Sequence, residues 1–190
     1  GYLANETALS TLANLLPTTG CGLLLGKPQW CPECINEMLI SKNQSYRPLV
    51  WSLKLYRACT THKKPLIDTC PHCNRIQPFI PRYPDLSRCA YCYQGLNFRN
   101  SDVGFEYSEF DYWIFTAIED LITHLTELSH VATVEQLSAF IGTTIKHFSD
   151  GNRASFCKSI GLNSWAVKGW LAKNEKPSLP QLLSICYGID

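Results

Sequence analysis

No run of about 18 apolar residues occurs in this chain of 190 residues, which excludes a membrane-spanning helix of ordinary length. The start of the sequence lacks the basic, apolar and small-residue regions of a secretory leader. A soluble, cytoplasmic protein with no membrane partner is therefore expected. Gly1 stands where an initiating Met would, the pattern of a fragment. Paired-carboxylate, nucleophile-elbow and phosphate-loop motifs are absent too, so no catalytic residue is assigned and an enzyme is not expected. Internal repeats and low-complexity stretches are missing. Neither sign of charge dominates, with 17 Lys and Arg against 16 Asp and Glu. The chain as a whole does not advertise nucleic-acid binding.

Hydrophobic residues make up 45% and aromatics 12%, enough for real cores in one domain or two small ones. Charge is segregated along the chain. Residues 31–92 carry nine Lys or Arg against four acids, residues 101–145 carry eight acids and no Lys or Arg, and residues 146–176 carry six bases against two acids. An acidic middle between basic flanks argues that one part meets nucleic acid while another meets protein.

Ten cysteines would suggest disulfides in a small secreted domain, but seven of them and one histidine fall in four tight pairs: CPEC, CTTH, CPHC and CAYC. Zinc in a structural site takes four N or S ligands, and each such pair supplies two from one turn. Four pairs make two sites. The sequential grouping gives Cys31, Cys34, Cys59 and His62 to the first and Cys70, Cys73, Cys89 and Cys92 to the second. A cross-brace, with alternate pairs sharing an ion as in RING domains, needs its second and third pairs nearly contiguous. Here KKPLIDT separates them, so the sequential grouping is preferred. Two Zn²⁺ with seven thiolates shift the formal net charge from +1 to −2. Full coordination leaves no open position for water or substrate, so the ions are expected to be structural. Of the remaining cysteines, Cys157 and Cys186 fall on apolar helical faces and Cys21 in a Gly-flanked loop. Tyr46, Trp51, Tyr56, Tyr83, Tyr91 and Tyr93 lie among the basic residues of this region, either as its small core or as a surface for RNA.

The fold expected is mainly α with small zinc-stabilised β and loop units: two sequential zinc fingers, ribbon-like, followed by a helical domain. The domains are 1–30 (a short helix over residues 4–16 and a loop, the remnant of a preceding domain), 31–96 (the double zinc unit) and 105–190 (helical). In the last, Phe110, Trp113, Ile114, Ala117, Ile118, Leu121, Ile122, Leu125 and Leu128 form one helical stripe. Glu119, Asp120 and Glu127 fall between them, on a solvated face or one for a basic partner. Thr133 to Gln136 reads as a capping box opening a helix to about His147. Residues 152–173 have the grammar of a helix-turn-helix: a helix ending at Ile160, a turn at Gly161, Leu162 inward, a cap at Asn163 or Ser164, and Val167 and Trp170 facing the core. The candidate DNA contacts are Asn163, Ser164, Trp165, Lys168 and Lys173, with double-stranded DNA as partner.

The order CPEC, then Tyr46 and Trp51, then CTTH followed by Leu66, then CPHC and CAYC resembles the TniQ/TnsD family of transposon target-selection proteins over roughly residues 15–96. The resemblance implies a non-enzymatic adaptor that selects the target site in Tn7-like transposition. It would bind a DNA sequence itself or join a CRISPR effector complex with its guide RNA, and recruit the AAA+ ATPase TnsC. A homodimer and a nucleoid-associated bacterial setting fit that role. Residue by residue, only the eight metal ligands carry over. The family usually has a helical part with a helix-turn-helix before its zinc motifs, where this chain has only about thirty residues. The competing reading is a zinc-stabilised protein-interaction scaffold, RING-like or bridging to a CRISPR complex, with no DNA sequence preference of its own.

Overall fold

The computed structural model of the chain describes residue 16, residues 23–98, 106–124, 127, 133–173 and 175–189. The expected helix over residues 4–16 lies outside these apart from Leu16, and Cys21, Leu125 and Leu128 lie outside them entirely. Among the described residues there are six α-helices and very little sheet, and no helix is long and apolar enough to cross a membrane. The chain divides into two compact units, Gly22–Glu119 and a unit drawn from Asp120–Asp190 together with Leu16.

The first unit opens with helix α1, Pro32–Lys42. Cys31 is its N-cap residue and Pro32 takes the first helical position, where its missing N–H costs nothing. Glu33 in the first turn and Lys42 in the last complement the helix dipole. Asn43, left-handed at φ 49°, ends the helix by returning its N–H to the Leu39 carbonyl. The CPEC pair therefore sits on a helix start and not, as the sequence suggested, on a knuckle turn. A 3₁₀ turn, Leu49–Ser52, follows Pro48. Strands β1, Ala58–Cys59, and β2, Lys64–Pro65, pair antiparallel with Ala58 opposite Pro65 and Cys59 opposite Lys64.

Three tight turns then repeat one device. The residue after the second member of each remaining pair is left-handed: Lys63 (φ 52°) after CTTH, Asn74 (φ 56°) after CPHC and Tyr93 (φ 61°) after CAYC. In the last two the cysteine N–H reaches across the turn, Cys70 to the Arg75 carbonyl and Cys89 to the Gln94 carbonyl, both at 2.9 Å. Single bridges Thr69–Ile76 and Arg88–Gly95 close the two turns. With so little sheet, the buried side chains Trp30, Ile35, Trp51, Leu53, Tyr56 and Leu96 form the core of this unit. Trp30 is fully buried and ties distant segments together, its Nε1 donating to the Leu96 carbonyl at 3.1 Å and its backbone exchanging hydrogen bonds with Ile67.

Helix α2, Glu109–Thr123, is capped by Ser108 and Asp111, whose side chains and N–H groups bond reciprocally. The expected stripe is present, with Ile114 and Ile118 buried. Phe115, outside that stripe, is buried too, because Tyr56, Tyr107 and Tyr112 surround its ring edge to face.

The helical unit contains α3, Val134–Ser149, α4, Arg153–Ser159, α5, Ser164–Leu171, and α6, Leu179–Tyr187. Thr133 and Gln136 form the expected capping box at α3. Asn152 caps α4 and Asn163 caps α5. Gly161 at φ 68° makes the turn between α4 and α5, a conformation that costs glycine little. Ile141, Ile145, Phe156, Cys157, Val167, Trp170 and Ile185 pack as one core, with Leu162 against it. Gly169 leaves room for Glu175, whose carboxylate oxygen would lie 2.7 Å from any Cβ there.

Candidate metal centres and nucleic-acid interface

The structure gathers the eight expected ligands into two clusters, grouped sequentially and not crosswise: Cys31, Cys34, Cys59 with His62, and Cys70, Cys73, Cys89 with Cys92. In each, the four donor atoms lie within 4.8 Å of one another. Cys31 and Cys34 reach one point because residues three apart on a helix share a face. Cys59 and His62 come from the end of β1 and the turn after it. None of the nine described cysteines is in a disulfide.

The donor spacing fits a metal ion. Sulfurs bonded tetrahedrally to one ion at about 2.3 Å stand roughly 3.8 Å apart, and nitrogen–sulfur edges are roughly 3.5 Å. Cys34 and Cys59 are 3.5 Å apart, Cys70 and Cys92 3.7 Å, and Cys73 and Cys89 3.6 Å. His62 Nδ1 stands 3.5, 3.3 and 3.4 Å from the sulfurs of Cys31, Cys34 and Cys59. The two clusters could therefore hold two ions.

A surrounding layer orients the donors, and the sequence reading did not find it. The far nitrogen of His62, Nε2, faces Glu37 Oε1 at 3.0 Å, which directs Nδ1 at the cysteines. Backbone N–H groups point at sulfur in all three turns: His62 to Cys59, His72 to Cys70 and Tyr91 to Cys89, each at 3.4 Å. Gln77, 3% exposed, bridges the two turns of the second cluster. Its amide donates to Cys89 Sγ and to the Arg75 carbonyl, and its oxygen accepts the Ala90 N–H. A Gln seven residues past a cysteine carries no local signature, so only the fold could reveal it. His72, inside CPHC, faces solvent and is not among the ligands.

Within each cluster one thiol is held lower than its neighbours. Hydrogen bonds from Cys31 and Cys34 hold the Cys59 thiol well below the ordinary thiol range. Hydrogen bonds with Cys34 and Cys59, then burial, push Cys31 up. At Cys89 burial opposes ionisation, but the N–H groups of Cys92 and Tyr91 and the thiols of Cys70 and Cys73 outweigh it and bring the thiol down to about 6. Burial pushes Cys70 up to about 12. Metal ligation takes cysteine as thiolate, so a lowered thiol favours it.

No family model matches the chain, and no curated protein does.

The expected DNA contacts divide into two groups. Asn163 and Ser164 are engaged locally: Asn163 Oδ1 accepts the Trp165 N–H at 2.8 Å, and Ser164 Oγ accepts from Arg153 Nε at 3.1 Å. Trp165, Lys168 and Lys173 face solvent, and Lys168 Nζ lies 5.2 Å from the centre of the Trp165 ring. Trp165 is 77% exposed. Arg153, which the sequence reading omitted, adds a cation at the start of α4, half-buried beside α5. Of the other thiols, Cys157 is buried and Cys186 half-buried, and burial pushes both pKa values up, as befits inert core positions. The aromatics of the metal-bearing unit also divide. Trp51 and Tyr56 are core, while Tyr46, Tyr83, Tyr91 and Tyr93 are about half exposed.

Proposed function

We propose that the chain is a non-enzymatic, zinc-stabilised adaptor that binds duplex DNA through α5 and, as its resemblance to the TniQ/TnsD family implies, selects the target site in Tn7-like transposition and recruits the ATPase TnsC. Zinc is the ion of choice because both donor sets are sulfur and imidazole in tetrahedral spacing. When bound, it would cross-link segments that carry too little sheet to hold themselves. The ligands are Cys31, Cys34, Cys59 and His62, and Cys70, Cys73, Cys89 and Cys92. Thiolates in that state suit a reducing, cytoplasmic compartment.

The observation that carries the DNA reading is Trp165. A tryptophan 77% exposed on a short helix, under the ammonium of Lys168, contributes little to its own core. Its neighbours Val167 and Trp170 supply that core instead. A flat ring and a cation together on the outer face of the second helix of a helix-turn-helix suit a groove of base edges and phosphates. With Lys168 and Lys173 as the cations of that face and no Arg on it, recognition there is modest and shape-led.

A protein-scaffold reading has one observation in its favour, the exposed rings of Phe140 and Phe148 on α3. Selection from a random duplex library by the metal-loaded chain decides between the two. An enriched motif, weakened by ~1–3 kcal/mol in Lys168→Ala, supports DNA reading by α5. Affinity and preference unchanged in Lys168→Ala would remove it.

A further inference from the structure

Around the second cluster, aromatic side chains do the opposite of what a small core needs. Tyr83, Tyr91 and Tyr93 are 49, 46 and 51% exposed, whereas Trp51 and Tyr56 are 3 and 1%. Packing explains the latter pair and not these three tyrosines.

The three are linked. Tyr83 meets Tyr93 edge to face, ring centres 5.6 Å apart, and Tyr93 and Tyr91 flank Cys92. Arg82 lies over the Tyr83 ring at 5.9 Å and Arg75 over the Tyr91 ring at 5.1 Å. No carboxylate among the described residues pairs with either arginine. Arg88 Nη1 donates to the Tyr93 carbonyl at 3.2 Å. The left-handed backbone of Tyr93, uncommon for a bulky residue, closes the CAYC turn, its N–H donating to the Cys89 carbonyl at 3.1 Å.

We propose that Tyr83, Tyr91 and Tyr93, with Arg75 and Arg82, form a platform for an unpaired nucleic-acid strand. Bases present flat faces at intervals with a phosphate between them, which matches rings interleaved with guanidinium groups. A duplex hides its base faces, and the two-residue turns offer neither a helix nor a ribbon to enter its groove. Gln77 and Ser87 are engaged within the protein, Gln77 with Arg75 and Ala90 and Ser87 with Asp85. Ring stacking and phosphate contacts do not depend on the sugar, so DNA and RNA strands fit alike. This surface does not depend on the duplex contact assigned to α5.

The test is fluorescence anisotropy of labelled oligothymidylate and oligouridylate, about twelve nucleotides long, with the metal-loaded full chain across a salt series. The two should bind within about threefold of each other, with a log–log salt slope near −1.4 for two phosphate contacts. Tyr83→Ala and Tyr91→Ala should each weaken binding about tenfold, and Tyr91→Phe should retain it. Metal content checks each variant's fold. Where an alanine variant loses metal, Arg75→Gln and Arg82→Gln stand in, each lowering the salt slope by about 0.7. Absence of binding, full binding by Tyr91→Leu, a preference above about tenfold for RNA, or loss of strand binding in Lys168→Ala would each overturn the platform.

Discussion

Replacing Glu119 with alanine should destabilise the metal-bearing unit, although its place in the sequence, among the acids between the apolar positions of α2, suggests a solvated side chain. Glu119 Oε1 accepts hydrogen bonds from the Tyr56 hydroxyl and from Thr60 Oγ1, the latter at 2.6 Å. Tyr56 is 1% exposed, and Thr60 lies between the donors Cys59 and His62. Burial, then the bond to Glu119, pushes the Tyr56 phenol above its ordinary range, so the group stays a donor at any working pH. Without the carboxylate, the buried hydroxyl keeps only long contacts with Thr60, to its Oγ1 and from its backbone N–H, both at 3.4 Å. A hydrogen bond to a charged group contributes about 1.5–3 kcal/mol, so Glu119→Ala should cost about 2–3 kcal/mol. Tyr56→Phe alone should cost about 1–2 kcal/mol. In the double variant the unpaired hydroxyl is gone, so the two costs should fall short of additivity by about 1 kcal/mol or more. Denaturant unfolding with metal in excess measures all three. A Glu119→Ala cost below about 0.5 kcal/mol, or strict additivity, would refute the reasoning and return Glu119 to solvent.

Two further substitutions probe other links in the chain from residue to site. Glu37→Ala should lower metal affinity of the first cluster about tenfold by freeing the His62 ring, at the modest end of such effects because Glu37 is exposed; competition against a chelator measures it, and an unchanged affinity would make the contact incidental. Asn163→Ala removes the cap of α5 and should cost about 1 kcal/mol in unfolding of the helical unit while leaving metal content unchanged.

The metal clusters were legible in the sequence because pair spacing encodes coordination directly, and the seven residues of KKPLIDT give the chain room to start a second site. The capping residues Thr133 and Asn163 and the turn at Gly161 likewise mark their helices by local chemistry alone. Helix α1 escaped because most of it faces water: Ile40 is 79% exposed, and of its residues only Pro32 and Ile35 are buried, so no apolar stripe announces it. The roles of Glu37, Gln77 and Glu119 escaped for a different reason. Each acts on a residue brought near by folding, 25, 12 and 63 positions away. Spacing rules see only neighbours, and a carboxylate between apolar positions looks solvated until a buried hydroxyl meets it. Phe115 likewise belongs to the core only because three tyrosines close around it.

The two four-donor clusters are the central claim, and metal stoichiometry tests whether each holds an ion most directly. Native mass spectrometry of protein purified under reducing conditions should show two zinc ions per chain. Cys70→Ser should show one, with loss of the second cluster's fold, because metal binding there is folding free energy. A single ion in the unaltered chain, or two ions retained with an unchanged melting transition in Cys70→Ser, would contradict the account.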